Sequence, residues 1–212
     1  MPQLCEGLVY VDEHLLVLDK PAGLLAVPGR GEDKQDCLSA RAQALWPDAR
    51  VVHRLDMATS GLFLMARGLH VQRLLSRAFE QREVEKQYLA VVHGQLGAVG
   101  SEGRIDLPLG ADWPNRPLQK VDLEQGRPSS TRWRMLGQEA DRTRVALEPL
   151  TGRTHQLRVH LQAIGHPILG DPLYAPPEVQ ALAARLLLHA SALAFRHPAS
   201  GERLALESAA PF

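Results

Sequence analysis

Cysteine is nearly missing from this chain: Cys5 and Cys37 are the only two in 212 residues, and they stand in no CxxC or other metal or redox spacing. That excludes a disulfide framework and a thiolate zinc site, and it fits a reduced cytoplasmic compartment. Long apolar runs are absent as well. Gly61–Ala66 and Leu186–Leu188 are the size of core strands, far short of the roughly 20 residues a membrane helix needs. Glu6, Asp12 and Glu13 break up the N-terminus, so it does not read as a signal peptide. Nucleotide loops are missing too. There is no P-loop, Gly94, Gly97 and Gly100 do not make GxGxxG, and no GxSxG marks a serine hydrolase. His155 and His160 are five apart and cannot share a helical face as zinc ligands. Asp56 lacks the neighbouring carboxylate that two-metal nucleases use. No metal and no cofactor is expected.

Lysine is scarce: four lysines stand against twenty arginines. The 24 basic and 24 acidic residues balance, which by itself argues mildly against a nucleic-acid binder. The distribution is uneven. Residues 1–40 carry three bases and seven acids, whereas residues 127–160 carry seven arginines and three acids, with His155 and His160 in addition. Arginine makes paired hydrogen bonds to phosphate and stacks on bases. A codon bias toward arginine produces the same composition. With 45% apolar and 23% charged residues, the composition is that of an ordinary globular protein with a real core.

The pattern along the chain predicts a mixed architecture. Leu8–Val11 and Leu15–Asp19 read as a hairpin closed by Asp12-Glu13-His14. Asp36 is placed to cap a helix running to Trp46. Val51–Leu55 and Gly61–Ala66 read as strands around a polar loop, 56–60. Apolar residues at 71, 74, 75, 78 and 79 predict a helix over Leu69–Arg82. Lys86–His93 alternates as a strand. Residues 94–128, with glycines at 94, 97, 100, 103 and 110, read as a long exposed connection. Thr131–Leu136 and Thr143–Leu147 form a strand pair. Thr154–Ile164 reads as a helix capped by Thr154, Pro177–Leu186 as a shorter one, and His189–Phe195 and Arg203–Glu207 as closing strands. About eight or more strands and four helices, without strict alternation, give an α+β fold on a mostly antiparallel sheet. One domain over 1–212 is expected.

Three segments carry chemistry. In Val51-Val52-His53-Arg54-Leu55-Asp56-Met57-Ala58-Thr59-Ser60-Gly61, a strand runs into a loop with a basic pair, an acid and two hydroxyls. Asp56 there serves as nucleophile, base or metal ligand, or it caps the turn through the amides of Ala58 or Thr59. In Thr151–His160, Gly152 permits a turn, and His155 and Arg158 are three apart on one helical face. An arginine so held keeps a nearby carboxylate ionised, or it belongs to a solvated basic face. In Lys86–Val92, Tyr88 shares a strand face with Ala90 and Val92. It is either a core tyrosine or a ring offered to a flat base.

Taken together, the segments resemble the RluA family of pseudouridine synthases. The central family motif, HRLDxxTSG, is met by His53–Gly61. Lys20-Pro21-Ala22-Gly23-Leu24-Leu25, Lys86-Gln87-Tyr88, Gly152–His160 and Leu188-His189-Ala190 match the other family motifs, in order and over nearly the whole chain. The resemblance implies the pseudouridine synthase catalytic fold without an S4 or other accessory RNA-binding domain. It implies isomerisation of uridine in RNA, with no cofactor or metal. By resemblance Asp56, Tyr88 and Arg158 are catalytic, and His53, Arg54, Thr59, Arg153, His155 and Leu188 bind substrate. Asp56 is the essential carboxylate, acting either by covalent attack or by taking the C2′ proton to give a glycal, with Arg158 as its ion-pair partner. Tyr88 stacks on the extruded uracil and Arg54 holds the base out. The implied partners are the tRNA anticodon stem-loop and 23S rRNA, at uridine 32 and uridine 746, and the implied state is a cytoplasmic monomer. The alternatives are a same-family synthase for another RNA site, a silent RNA-binding protein on this fold, and a hydrolase using Asp56 and His53.

Overall fold

A computed structural model describes residues 7–212, so Cys5 and Glu6 lie outside the described residues. The chain divides into two compact units. One runs up to Lys86 and takes in Ala190–Pro211, and the other is Gln87–His189 with Phe212.

The first unit is built on a hairpin, β1 (Leu8–Val11) and β2 (Leu15–Lys20), paired antiparallel with Val11 opposite Leu16. Asp12 makes the turn: its Oδ1 accepts the N–H groups of His14 and Leu15 at 2.7 and 2.9 Å, a side-chain substitute for backbone partners. A short strand β3 (Ala49–Val51) and β2 both pair antiparallel with β4 (Ser60–Arg67). The order is β1-β2-β4-β11, where β11 is Leu188–Arg196 and carries β12 (Arg203–Glu207) antiparallel beside it. Helix α1 spans Leu38–Leu45 and α2 spans Gly68–Glu80. The i, i+4 pair Val71 and Leu75 of α2 packs onto Leu62, Leu64 and Ala66 of β4, with Leu15, Val17, Leu193 and Phe195 completing the core.

The second unit holds an antiparallel series in the order β5 (Glu85–His93), β10 (Arg142–Pro149), β9 (Ser130–Glu139), β6 (Glu102–Asp106). A separate hairpin pairs β7 (Leu109–Ala111) with β8 (Gln119–Val121). Helix α3 spans Gln156–Ala163 and α4 only Pro177–Gln180. Val91, Leu169 and Val179 form a buried cluster there, with Phe212 packed on it. The α+β class and the antiparallel pairing are as the pattern indicates, with twelve strands among the described residues where about eight or more are expected.

Five local expectations differ. The strand expected over Val51–Leu55 is β3 at Ala49–Val51 and stops there, because the next amide of β4, that of Leu64, is taken by the His53 side chain rather than by backbone. The α1 cap is Cys37, whose Sγ accepts the Ala40 N–H, while Asp36 is drawn off into a paired contact with Arg41. The stretch 94–128 is not a plain connection: it holds β6, β7, β8 and a 3-10 turn at Trp113–Asn115. Helix α3 begins two residues late and is not capped by Thr154; His155 takes the cap position in left-handed backbone (φ 54°). Beyond Gln180 the expected helix ends, and turns and bends follow. Among the described residues no helix is long and apolar enough to cross a membrane.

Candidate active site

The loop 53–61 of the first unit is fixed from both ends. Beyond the end of β3 at Val51 the next open amide of β4 is that of Leu64, and it donates to Nε2 of His53 at 2.9 Å. The imidazole thus continues the strand edge. Its ring stacks on Phe79 at 4.7 Å between centroids and tilts against Phe63 at 5.1 Å. A nitrogen that accepts an amide proton must carry none of its own, so His53 is the neutral Nδ1–H tautomer. Burial, with help from the Lys86 charge, pushes its pKa down to about 3. His53 therefore holds the loop, through an acceptor that protonation would destroy.

A pH dependence follows. The folded pKa lies below the ordinary 6.5, so the neutral ring's contribution is complete above about pH 6.5 and drains away as pH falls toward about 3. His53→Phe removes this linkage. Urea unfolding at pH 7 and pH 4 is expected to show a wild-type loss about 3 kcal/mol greater than that of the variant. Equal losses would contradict the assignment.

Lys20, wholly buried, ties this loop to the Lys20–Leu25 segment. Its Nζ donates to the carbonyls of Pro21, Leu24 and Met57 at 2.9, 2.7 and 3.0 Å, and the Gly23 N–H donates to the same Met57 carbonyl. Two motifs remote in sequence are thereby one structural piece. The turn after Asp56 is closed by backbone, with the Thr59 N–H donating to the Asp56 carbonyl at 3.1 Å. Asp56 is half-buried, Arg54 and Met57 are exposed, and Leu55, Thr59 and Ser60 are buried. Gly61 (φ 109°) then enters β4 against the backbone of Ala190.

In the second unit the loop before α3 is organised by one buried glutamine. Gln156 accepts from the Thr151 hydroxyl and the Arg153 N–H through Oε1, and donates through Nε2 to the Ser130 carbonyl and the Thr131 hydroxyl. All four of its hydrogen-bonding directions are used, which a buried amide requires. Thr131 passes the chain on to Nδ1 of His160, whose Nε2 donates to the Leu107 carbonyl. Burial lowers the His160 pKa, against the raising effects of that carbonyl and of Asp106, and the ring is neutral.

This lock sets the phase of α3. His155 and Arg158 do share a face, and both reach Tyr174. Nδ1 of His155 lies 2.6 Å from the Tyr174 hydroxyl, and the Arg158 guanidinium lies 5.0 Å from the ring centroid. Arg158 is buried and bidentate on Asp171, with Nε to Oδ2 at 2.8 Å and Nη2 to Oδ1 at 2.6 Å. Asp171 is itself fixed by the N–H groups of Leu173 and Tyr174. Arg153 is half-buried and reaches the Pro128 carbonyl. Tyr88 is half-buried on β5, opposite Leu147 of β10, and Leu188 is buried at the start of β11.

Asp171 and Tyr174 belong to no segment singled out from the sequence. The available signal was the turn pattern Gly170-Asp171-Pro172 after the apolar pair Ile168-Leu169. His53, Asp56 and Lys20 come together in the first unit, and His155, Arg158, Asp171 and Tyr174 in the second. Chemically, the first group supplies a carboxylate on a fixed loop beside an exposed arginine, and the second an arginine whose plane is set by a carboxylate.

Comparison with known proteins adds the family context. A family model described as RNA pseudouridylate synthase matches residues 14–163. The chain is 50% identical over 206 residues to the dual-specificity RNA pseudouridine synthase RluA of Escherichia coli K12, covering 97% of this chain and 93% of that one. It is 52% identical over 192 residues to the protein of the same description from Vibrio cholerae, covering 91% and 78%. Among solved structures, Human RNA Pseudouridylate Synthase Domain Containing 1 aligns with a TM-score of 0.80 at 29% identity, over 97% of this chain and 84% of that one.

Proposed function

The chain belongs to the RNA pseudouridylate synthase family, and from that membership we propose that it modifies uridine 32 in the anticodon loop of tRNA and uridine 746 of 23S rRNA. The reaction class is an isomerisation of uridine to pseudouridine in RNA. The observation that carries the choice of target is the 50% identity, over 97% of this chain, to a synthase described as dual-specificity. The protein is proposed to act as a cytoplasmic monomer.

The chemistry is a rearrangement. The C1′–N1 bond breaks, the uracil turns, a C1′–C5 bond forms, the proton on C5 leaves to water, and N1 takes up a proton in its place. Asp56 is proposed as the essential carboxylate. It either forms a covalent bond to the nucleotide or removes the C2′ proton. Both routes need an anionic carboxylate, and Arg158 is the cation the family resemblance assigns to it. The bidentate hold of Asp171 fixes the guanidinium plane, so Asp171 is proposed as a positioning residue. A base inside a stack is out of reach, so the uridine is extruded, most cheaply from a loop. Tyr88 is proposed to stack on it, and the exposed Arg54 to occupy the gap it leaves. His53, Thr59, Arg153, His155 and Leu188 are proposed to help bind the RNA.

The test is tritium release from C5-labelled uridine in an anticodon stem-loop transcript and in a 23S rRNA fragment, with mapping of the modified position. Release from both, at one position each, is expected. Release from neither, with another RNA modified, would replace the target by a different site of the same family.

A further inference from the structure

The hairpin β7–β8 carries an aromatic–arginine pair at its tip that the reaction chemistry leaves without a role. Trp113 is 68% exposed, whereas Trp46 and Trp133 are both partly buried. The Arg116 guanidinium lies 3.6 Å from the Trp113 ring centroid, stacked on one side of the indole. An indole is among the costliest groups to leave in water, and an arginine on one side does not cover it.

The tip is built to hold that display. The N–H of Asp112 donates to the Leu118 carbonyl, that of Asn115 to the Asp112 carbonyl, and that of Leu118 to the Asn115 carbonyl, at 3.0, 3.1 and 3.0 Å. The Asn115 side-chain amide donates to the Asp112 carboxylate at 2.9 Å. The strand end next to the tip is pinned as well: the Gln119 N–H donates to the Tyr174 hydroxyl at 2.9 Å. This is the hydroxyl that lies 2.6 Å from His155, on the ring that faces Arg158. One tyrosine thus couples the hairpin to the residues proposed to handle the substrate.

We infer that the Trp113–Arg116 tip is a stacking platform for an unpaired base of the substrate RNA loop, outside the position of the modified uridine. This rests on the RNA-modifying function proposed above. A planar indole stacks on any base, and the arginine adds a charge for the adjoining phosphate. The other side chains of the tip, Asp112, Pro114, Asn115 and Pro117, offer no apolar patch of the size a protein partner would bury. The large apolar side chain exposed near it, Leu123, belongs to the next turn. A loop nucleotide is therefore the better fit.

The experiment compares wild type, W113A and W113F by equilibrium binding to an anticodon stem-loop and by single-turnover tritium release at saturating RNA. A set of stem-loops with one abasic loop position each is included. W113A is expected to raise Kd about tenfold, W113F to stay within about threefold of wild type, and the saturated rate to be unchanged in both. One abasic position is expected to weaken wild type and leave W113A unaffected, which identifies the stacked base. Equal Kd for wild type and W113A, or losses that simply add at every abasic position, would overturn the platform. RNA binding that depends on Trp113 without tritium release from any RNA would sustain the platform and overturn the synthase reading. A wild type that binds no RNA would overturn both.

Discussion

Asp171→Asn is expected to cost about 3 kcal/mol of stability and to slow single-turnover tritium release about 100-fold at saturating RNA, with little change in RNA affinity. The side chain is wholly buried, with Oδ2 and Oδ1 each taking one guanidinium N–H of Arg158. Asparagine keeps the shape and can still accept from Leu173 and Tyr174, but it loses the charge and one of the two acceptors. Removing one member of a buried ion pair leaves the other uncompensated, which is far costlier than removing both. The arginine then turns about the contact that remains. If Arg158 acts in the chemical step, kcat falls and KM does not. Urea unfolding and single-turnover kinetics read the two effects separately. A destabilised variant whose folded fraction reacts at the wild-type rate would reduce the pair to a structural strut. Arg158→Lys is expected to behave like Asp171→Asn, because an ammonium cannot make the two parallel bonds.

Gly61→Ala is expected to abolish folding of the first unit. A Cβ built on Gly61 lies 2.3 Å from the oxygen, 2.6 Å from the nitrogen and 2.8 Å from the carbonyl carbon of Ala190. The neighbour is strand backbone and cannot rotate aside, and the φ of 109° is itself closed to alanine. The backbone clash is the larger effect and the φ strain adds to it; together they are expected to cost more than about 4 kcal/mol, a large share of what holds a domain folded. Gly137→Ala is the matched control, since a Cβ there meets nothing within 4 Å. Circular dichroism and yield of the soluble fraction should separate the two variants sharply. A folded, active Gly61→Ala protein would show that β4 and β11 can separate without loss.

These two residues also mark the limits of the sequence. Gly61 was visible as the last residue of a motif, but the reason for it is the main chain of Ala190, which no local pattern announces. Asp171 lies thirteen residues from Arg158, inside a turn whose composition reads as punctuation, so its pairing was hidden. Elements with strong periodicity were legible: the hairpin at Asp12, helix α2 and the pair β9–β10 all fall where alternation and spacing place them. The stretch 94–128 was not, for a physical reason. Its strands are only three to five residues long, and two of them contain a glycine, Gly103 and Gly110, that reads as a loop. Gly103 lies in β6 because the Trp133 ring occupies its side-chain space, with a built Cβ only 2.6 Å from the ring. The shift of the α1 cap from Asp36 to Cys37 has a similar origin, because Arg41 competes for the carboxylate. The ring nitrogen of His53 holds the amide of Leu64, a use that becomes visible only once β3 is seen to stop at Val51.

The Asp56 carboxylate, on a loop closed by backbone and by Lys20, is proposed to carry the isomerisation. Asp56→Ala removes the carboxylate while leaving the Thr59-to-Asp56 backbone bond and the Lys20 contacts in place. The decisive measurement is tritium release from the C5-labelled anticodon stem-loop by wild type and Asp56→Ala, each at an RNA concentration where binding is saturated. Full release by wild type, none above background by the variant, and equal RNA affinity for the two are expected. Release by the variant at a rate near that of wild type would contradict this role of Asp56.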